Sequence, residues 1–313
     1  MKIAFHDNYL CERGTSVALY DYAYYNRELL RNDSIILYDK TIKSNVESVV
    51  KKFKDEFKVF GYYDWSQVDS ILKENSCDIL YLIKGGEFDY KLSNVAKNVV
   101  HCVFNAGEPH GHIYSCISDS VRNYNGQPIV PHMINLPDED ANLREILNIP
   151  KDAIVFGRYG GYEQFDIPQV QHIVYNVASN NPDIYFLFAN TKEFCKPLKN
   201  IIHINKIIDV RKKVEFINSC DAMLWGRSDG ETFGIAIGEF SYRNKPIIAC
   251  KVGYQNHVKV LGDHGLWYDS SEELYNILTK FKSITMGISN WNCFHRYDPE
   301  TVMNKFKAVY IDE

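Results

Sequence analysis

Short apolar, β-branched runs of strand length alternate with longer stretches of helical period along the chain, and that alternation restricts the fold more than any other feature. The runs include Ile35–Leu37, Asp78–Ile83, Val99–Phe104, Ala153–Phe156, Ile184–Ala189, Asn200–Ile204, Ala222–Trp225 and Lys245–Ala249. Between them Val17–Leu30, Trp65–Glu74, Ile167–Ser179, Asp209–Ser219 and Thr232–Arg243 carry apolar residues at helical spacing. Strand and helix in repeated alternation build a parallel sheet covered on both faces, because each helix carries the chain back to the edge where the next strand starts. The series starts twice, at Lys2 and again at Ala153, after Leu136-Pro137-Asp138-Glu139-Asp140, which reads as a linker entering a short helix. The predicted fold class is α/β, with residues 1–136 and 150–296 forming two doubly wound domains that face each other across a cleft. A helical tail over 297–313 is expected to cross back to the first domain, and 313 residues suffice for two modest cores.

Composition narrows the partners. A formal net charge of -5 gives no footing for a nucleic-acid partner, which favours a basic surface. The eight cysteines are scattered with no close CxxC pair and mostly lie in apolar runs, so reduced, buried thiols in a cytoplasmic setting are expected rather than disulfides or zinc. The opening Lys2-Ile3-Ala4-Phe5-His6 is strand-like and leaves no room for a signal peptide. No apolar run approaches the roughly 20 residues of a membrane-spanning helix. Lys51-Lys52-Phe53-Lys54 is interrupted by Glu47, Asp55 and Glu56 and reads as a solvated helix face, not a membrane-binding patch.

The segment from Asp221 to Ala249 carries the most chemistry. It reads as strand, glycine-containing turn, helix over 232–243, turn and strand. A helix start exposes free backbone N–H groups at the positive end of the dipole, which suits a diphosphate. Thr232 is placed to cap that helix, with Glu231 just before it. Gly230, Gly234 and Gly238 recur every four residues, so the two inside the helix leave one face bare for a backbone or a ligand. Glu231 at the mouth can accept from sugar hydroxyls, and Glu239 two turns in can grip a ribose diol, since a carboxylate offers two acceptor oxygens to a vicinal diol. An acidic helix start with one solvated glutamate is the plainer alternative.

The stretch Glu231-Thr232-Phe233-Gly234-Ile235-Ala236-Ile237-Gly238-Glu239, followed by Asn244-Lys245-Pro246-Ile247-Ile248, resembles the E-x7-E signature of retaining glycosyltransferases of family 4. Supporting matches lie in the same order. Phe156-Gly157-Arg158 resembles that family's first donor-domain strand, which ends in a glycine and a phosphate-binding arginine. Ile204–Leu224 resembles the stretch before the signature, where backbone near Asn205, Lys206 and Ile207 meets the nucleobase. Ile117-Ser118, Val130-Pro131-His132 and Trp291 fall where the family has comparable residues, so the likeness runs from about residue 100 to 295. It implies the GT-B architecture of two Rossmann-like domains, a donor in the second domain and catalysis without a metal. One position departs: the lysine that usually follows the arginine by five residues is Glu163 here, beside Gln164. Diphosphate charge then falls to Arg158, helix N–H groups and Arg227 or Lys206, with the Tyr159-Gly160-Gly161 backbone as a further donor.

The first domain is read more sparsely. Arg13-Gly14-Thr15-Ser16 precedes a helix expected near Val17 and sits where the family has its acceptor-side glycine loop, with Gly14 and Thr15 as candidates; an ordinary capped helix explains it equally well. In Asn105-Ala106-Gly107-Glu108-Pro109-His110-Gly111-His112 a strand gives way to a loop with two histidines. The family often places a histidine here near the reacting sugar, so His110 is the candidate with His112 as neighbour. The same pair with Glu108 lacks further ligands for a metal, and Asp138-Glu139-Asp140, formally Asp-x-Asp, reads as linker.

The expected function is transfer of a hexose from a UDP- or GDP-sugar to a hydroxyl of a glycan, lipid-linked or protein acceptor, with retention. Glu231, His110 and Arg158 are the expected catalytic residues. Arg158, Gly160, Lys206, Ile207, Arg227, Glu231, Thr232, Phe233, Gly234, Ile235 and Glu239 are the expected donor contacts. A sugar-nucleotide epimerase or phosphorylase on the same architecture and a catalytically silent nucleotide-sugar or carbohydrate-binding module remain the alternatives. A dinucleotide oxidoreductase is disfavoured, because no G-x-G-x-x-G follows the first strand.

Overall fold

A computed structural model describes residues 1–123 and 126–312. Tyr124 and Asn125 of the expected first domain, and Glu313 of the expected tail, lie outside the described residues. The chain divides into two compact units, one comprising 1–133 with 297–313 and the other 134–296.

The first unit runs β1 (Lys2–His6), α1 (Gly14–Glu28), β2 (Asp33–Asp39), α2 (Glu47–Glu56), β3 (Lys58–Tyr62), α3 (Val68–Glu74), β4 (Ile79–Lys84), β5 (Lys97–Cys102) and β6 (Ile113–Cys116). All six strands are parallel, in the order β3-β2-β1-β4-β5-β6. Every residue of β4 is buried, as a central strand covered on both faces requires. Burying Leu80 and Leu82 completely stabilises the sheet by about 1.5–3 kcal/mol per side chain.

The second unit runs β7 (Ile154–Tyr159), α4 (Pro168–Asn180), β8 (Ile184–Ala189), β9 (Ile201–Ile204), α5 (Val210–Ser219), β10 (Ala222–Leu224), β11 (Gly230–Glu231), α6 (Ile235–Tyr242), β12 (Ile247–Ala249), β13 (Tyr254–Gln255), α7 (Asn256–Leu261), β14 (Gly265–Trp267), α8 (Ser271–Thr279) and α9 (Phe281–Thr285). Its main sheet is also parallel, in the order β14-β12-β10-β7-β8-β9. Counted from its own first strand, each sheet has the same winding. The order therefore reverses between β1 and β4 in one unit and between β7 and β10 in the other. Ligands of doubly wound sheets settle at the carboxyl ends of the strands beside such a reversal.

The last helix, α10 (Pro299–Phe306), belongs to the first unit. Its Phe306 ring lies 5.4 Å from Tyr22 and 6.1 Å from Phe5, and the fully buried Tyr310 meets the Ser115 hydroxyl. Spacing of three and four residues between Val302, Met303, Phe306 and Tyr310 sets these side chains on one face, which explains why the tail packs there.

Several local expectations are corrected. Strands β3, β6, β11, β13 and β14 have no counterpart among the apolar runs, because their segments are short or mixed with polar and glycine residues. The Asp138–Asp140 segment does not enter a helix; the chain has no regular structure there and then turns over 144–148. Pro137 removes a donor, while the Leu143 N–H bonds Ser219 Oγ at 2.7 Å instead of starting a ladder. All eight cysteines are free, and among the described residues no helix is long and apolar enough to cross a membrane.

Candidate functional site

Arg158 is the fifth residue of β7, at the carboxyl end of the strand beside the reversal of the second sheet. Its guanidinium is only 4% exposed and donates to Thr191 Oγ1 at 2.5 Å and to the Gly161 carbonyl at 3.1 Å. Burial lowers its pKa to about 10, with Glu231 opposing and the Arg227 charge adding to the drop. The group stays cationic at neutral pH and is held rigidly by its two acceptors.

The chain leaving β10 supplies the facing groups. Trp225 Nε1 donates to Glu231 Oε1 at 2.9 Å, and Arg227 lies 3.6 Å from the other Glu231 oxygen and 3.2 Å from Asp229. The buried Arg227 Nε has no hydrogen-bond partner among the described residues. The turn is braced by Asp166, whose carboxylate accepts from Ser228 N at 2.8 Å and Ser228 Oγ at 2.7 Å. Two guanidiniums thus act on the Glu231 carboxylate, with Asp229 on Arg227 and Asp166 beside the turn.

Helix α6 starts at Ile235, which corrects the expected start at Thr232. The cause is tertiary. Gly230 and Glu231 are held extended in a short parallel pairing with Tyr254 and Gln255, so helical geometry begins only after Gly234 turns the chain with φ of 90°. Thr232 does not cap this helix, since the N-cap is Gly234 and it makes no side-chain cap bond. Phe233 is buried against Phe294 at 6.0 Å, and its carbonyl accepts from Asn256 Nδ2 at 2.9 Å. Ile235 is the first helical residue and is half-buried.

Two further expectations for this helix are corrected. Gly238 does not present a bare face, because a Cβ there would lie 2.6 Å from Ile134 Cδ1 and 2.8 Å from Phe294 Cδ1. It is a close-packing glycine. Glu239 is one turn into α6 instead of two, 4% exposed, and both its oxygens are engaged. Lys213 Nζ donates to one at 2.6 Å, and the Tyr159 hydroxyl donates to the other. Burial, with the Glu239 charge next, pushes the Tyr159 phenol well above its ordinary value, so it remains a donor.

The other donor-side candidates are spread around this end of the sheet. The Gly160 carbonyl accepts from Asn190 Nδ2 at 2.7 Å. Lys206 is exposed and Ile207 half-buried in the segment that follows β9. Glu163, the departure from the family pattern, is exposed and pairs with Lys192 at 3.2 Å. Thr191, Lys192 and Lys213 carry no signal in the linear sequence, since their partners lie 26 to 33 residues away.

In the first unit Gly14 and Thr15 are not in a loop but form the first turn of α1, with Arg13 as its N-cap. The helix starts early because Arg13 and Ser16 both turn to Asp7 at the end of β1, at 2.5 and 3.0 Å. Burial raises the Asp7 pKa against these bonds. His110 is half-buried; its Nδ1 donates to the Glu108 carbonyl at 2.6 Å, and its Nε2 accepts from Lys84 Nζ at 3.2 Å. Lys84, at the carboxyl end of β4, also pairs with Asp89 at 2.5 Å. Burial and the Lys84 charge lower the His110 pKa, so the ring is neutral with its proton on Nδ1. His112 is separate: its Nδ1 accepts from the Asn98 N–H at 2.8 Å and tethers the start of β5. Among the described residues no group of three or more His, Cys, Asp or Glu side chains is arranged to hold a metal.

Comparison with solved structures identifies the fold. HepE of Anabaena, solved with UDP-glucose, matches at a TM-score of 0.74 with 15% identity over 98% of this chain and 99% of that one. A glycosyltransferase from Rickettsia africae ESF-5 matches at 0.65 with 13% identity over 97% and 94% of the two chains. MnaA of S. aureus, solved with UDP, matches at 0.62 with 10% identity over 98% and 95%. The chain has the GT-B fold of these proteins. No family model matches it, and no curated protein matches it in sequence.

Proposed function

We propose that this chain is a glycosyltransferase that moves a hexose from a nucleoside diphosphate sugar to an acceptor hydroxyl. The observation that carries the reading is the pair of guanidiniums, Arg158 and Arg227, that both interact electrostatically with Glu231 at the strand-order reversal of the second sheet, just before the N-terminus of α6. HepE, solved with UDP-glucose on the same fold, supports a uridine donor.

The chemical demand in such a transfer is charge growing on the leaving phosphate oxygen. Arg158 and Arg227 meet it as fixed cations, and the free N–H groups at the start of α6 add oriented dipoles. Glu231, already aligned by Trp225, accepts from hydroxyls of the transferred sugar. Backbone around Lys206 and Ile207 meets the base. Glu239 reaches a ribose diol by exchanging its bond from Lys213 or Tyr159 for sugar hydroxyls. His110 meets the acceptor hydroxyl at Nε2 by exchange with the Lys84 ammonium, since its other nitrogen is committed to Glu108. Retention at the anomeric carbon and a metal-independent reaction follow from the likeness of the E-x7-E stretch to family 4. Eight free cysteines suit a reducing compartment such as the cytoplasm.

Calorimetric titration of the whole chain with UDP-, GDP- and ADP-sugars, followed by assay of nucleoside diphosphate release over an acceptor panel, tests the reading. Release that rises with acceptor supports it. Conversion of the donor sugar without release marks an epimerase, and donor binding without turnover over any acceptor marks a silent binding module.

A further inference from the structure

We propose that the loops leaving the carboxyl ends of β4 and β5 in the first unit form a subsite for a neutral pyranose ring, stacked on Phe88 and Tyr90. This rests on the reading above, in which such a ring is part of the acceptor.

A cavity of about 440 Å³ opens there, lined by Glu87, Phe88, Asn105, Gly107 and Glu108. That volume falls in the range of small-molecule sites, and the loop leaving β4 lies beside the strand-order reversal of its sheet. The walls are preformed. Gly85 accepts through its carbonyl from the N–H groups of Phe104 at 3.2 Å and Asn105 at 2.8 Å, while the Gly86 carbonyl accepts from the Tyr114 hydroxyl at 2.8 Å. Gly86 has φ of 123° and a Cβ there would lie 1.9 Å from the Asn105 carbonyl oxygen, so only glycine lets the two loops approach this closely. The Phe88 N–H then donates to Glu108 Oε2 at 2.7 Å.

The pair of Phe88, which lines the cavity, and Tyr90 beside it is what the fold by itself does not explain. Phe88 is 38% exposed and Tyr90 81% exposed, with ring centroids 4.5 Å apart, and Phe88 also lies 4.9 Å from His110. Tyr90 holds φ at 59°, a conformation that is unfavourable for a bulky side chain. An exposed aromatic kept in a strained backbone state contributes nothing to a core, and such strain concentrates at ligand sites. A pyranose has an apolar C–H face that packs on aromatic rings and a rim of hydroxyls that donates to carboxylates. Glu87 and Glu108 are acceptors of that kind, both exposed at the cavity. The nearby cations are matched by acid: Lys84 is taken up by Asp89 and by the His110 ring, and Lys91, next to Tyr90, also acts on Asp89. The subsite is therefore acidic, and a uronate or a sugar phosphate would place its charge against two carboxylates.

Saturation-transfer NMR on the full chain tests this with methyl α-glucopyranoside, methyl α-galactopyranoside and methyl α-mannopyranoside as neutral probes and methyl α-glucuronide as the charged one. Transfer from aromatic protons to the ring protons of at least one neutral probe, and not to the glucuronide, is expected. Phe88→Ala and Tyr90→Ala should each weaken binding by about tenfold. Tyr90 is 81% exposed, so its variant keeps the fold, checked by an unchanged melting curve. Absence of transfer to every neutral probe, or transfer untouched by both aromatic variants, overturns the proposal. Nucleotide-sugar binding measured on the same samples separates the two readings. If it persists while the neutral probes fail, this subsite falls and the transferase reading stands; if the probes bind at Tyr90 and no nucleotide sugar does, the reverse holds.

Discussion

The Arg227 guanidinium stands 3.6 Å from one oxygen of Glu231 while Trp225 Nε1 holds the other at 2.9 Å, so this carboxylate is aimed before any ligand arrives. Replacing it by Glu231→Gln keeps the bond from Trp225 and removes the charge. Turnover should fall by roughly 100-fold, the scale of a misplaced reacting group, with little change in melting temperature. Steady-state kinetics beside a thermal melt checks this, and equal loss of stability and activity would count against the assigned role.

Arg158 meets its acceptors at Thr191 and Gly161 from a site only 4% exposed, so its charge is positioned rather than mobile. Arg158→Met should reduce nucleoside diphosphate affinity by about 10 to 100-fold, the worth of a hydrogen bond to a charged group, and leave affinity for the free nucleoside unchanged. Calorimetry with UDP against uridine separates the two, and parallel losses would place Arg158 in a structural role.

Lys213 and Glu239 form a buried pair, with side chains 13% and 5% exposed. Removing the cation in Lys213→Met leaves a buried carboxylate supported only by Tyr159 and should destabilise by about 3–5 kcal/mol, whereas Lys213→Met with Glu239→Met should recover most of that loss. Urea denaturation of the single and double variants reads the difference, and additive losses would mean the pair is not coupled.

At Gly238 an added methyl would stand 2.6 Å from Ile134 Cδ1. Gly238→Ala is expected to destabilise by about 1–3 kcal/mol through overpacking, with nucleotide affinity per folded molecule unchanged. A drop in affinity without loss of stability would restore the ligand-facing role that the glycine spacing suggests.

Three buried histidines of the first unit, His6, His101 and His132, make it less stable in acid. Burial holds His101 and His6 at about 3, well below the ordinary 6.5. As the pH falls below about 6.5 the unfolded chain takes up protons that these rings refuse, so their contribution is complete above that value and is lost progressively towards about 3, by about 1.4 kcal/mol per pH unit per ring. His101→Gln retains an acceptor for the Tyr81 hydroxyl, which bonds His101 Nδ1 at 2.6 Å, and cannot titrate. Its stability should depend less steeply on pH between 6.5 and 4; an unchanged slope in urea titrations would rule His101 out as a source.

The alternation of apolar runs with amphipathic stretches determined an α/β chain whose series begins twice, because strand and helix periods are written in local spacing. Arg158, Glu231 and Gly234 became candidates through the likeness of their stretches to a family pattern, and Arg227 only as one of two further cations that could meet the diphosphate. Tertiary structure alone decided how these groups are engaged. Pairing of β11 with β13 delays α6 to Ile235, and packing of Ile134 and Phe294 fills the Gly238 face. Glu239 meets Lys213 across 26 residues, as His110 meets Lys84. Those contacts depend on which strands become neighbours, and in a parallel sheet that order is fixed by crossovers many residues long, so no local pattern records it.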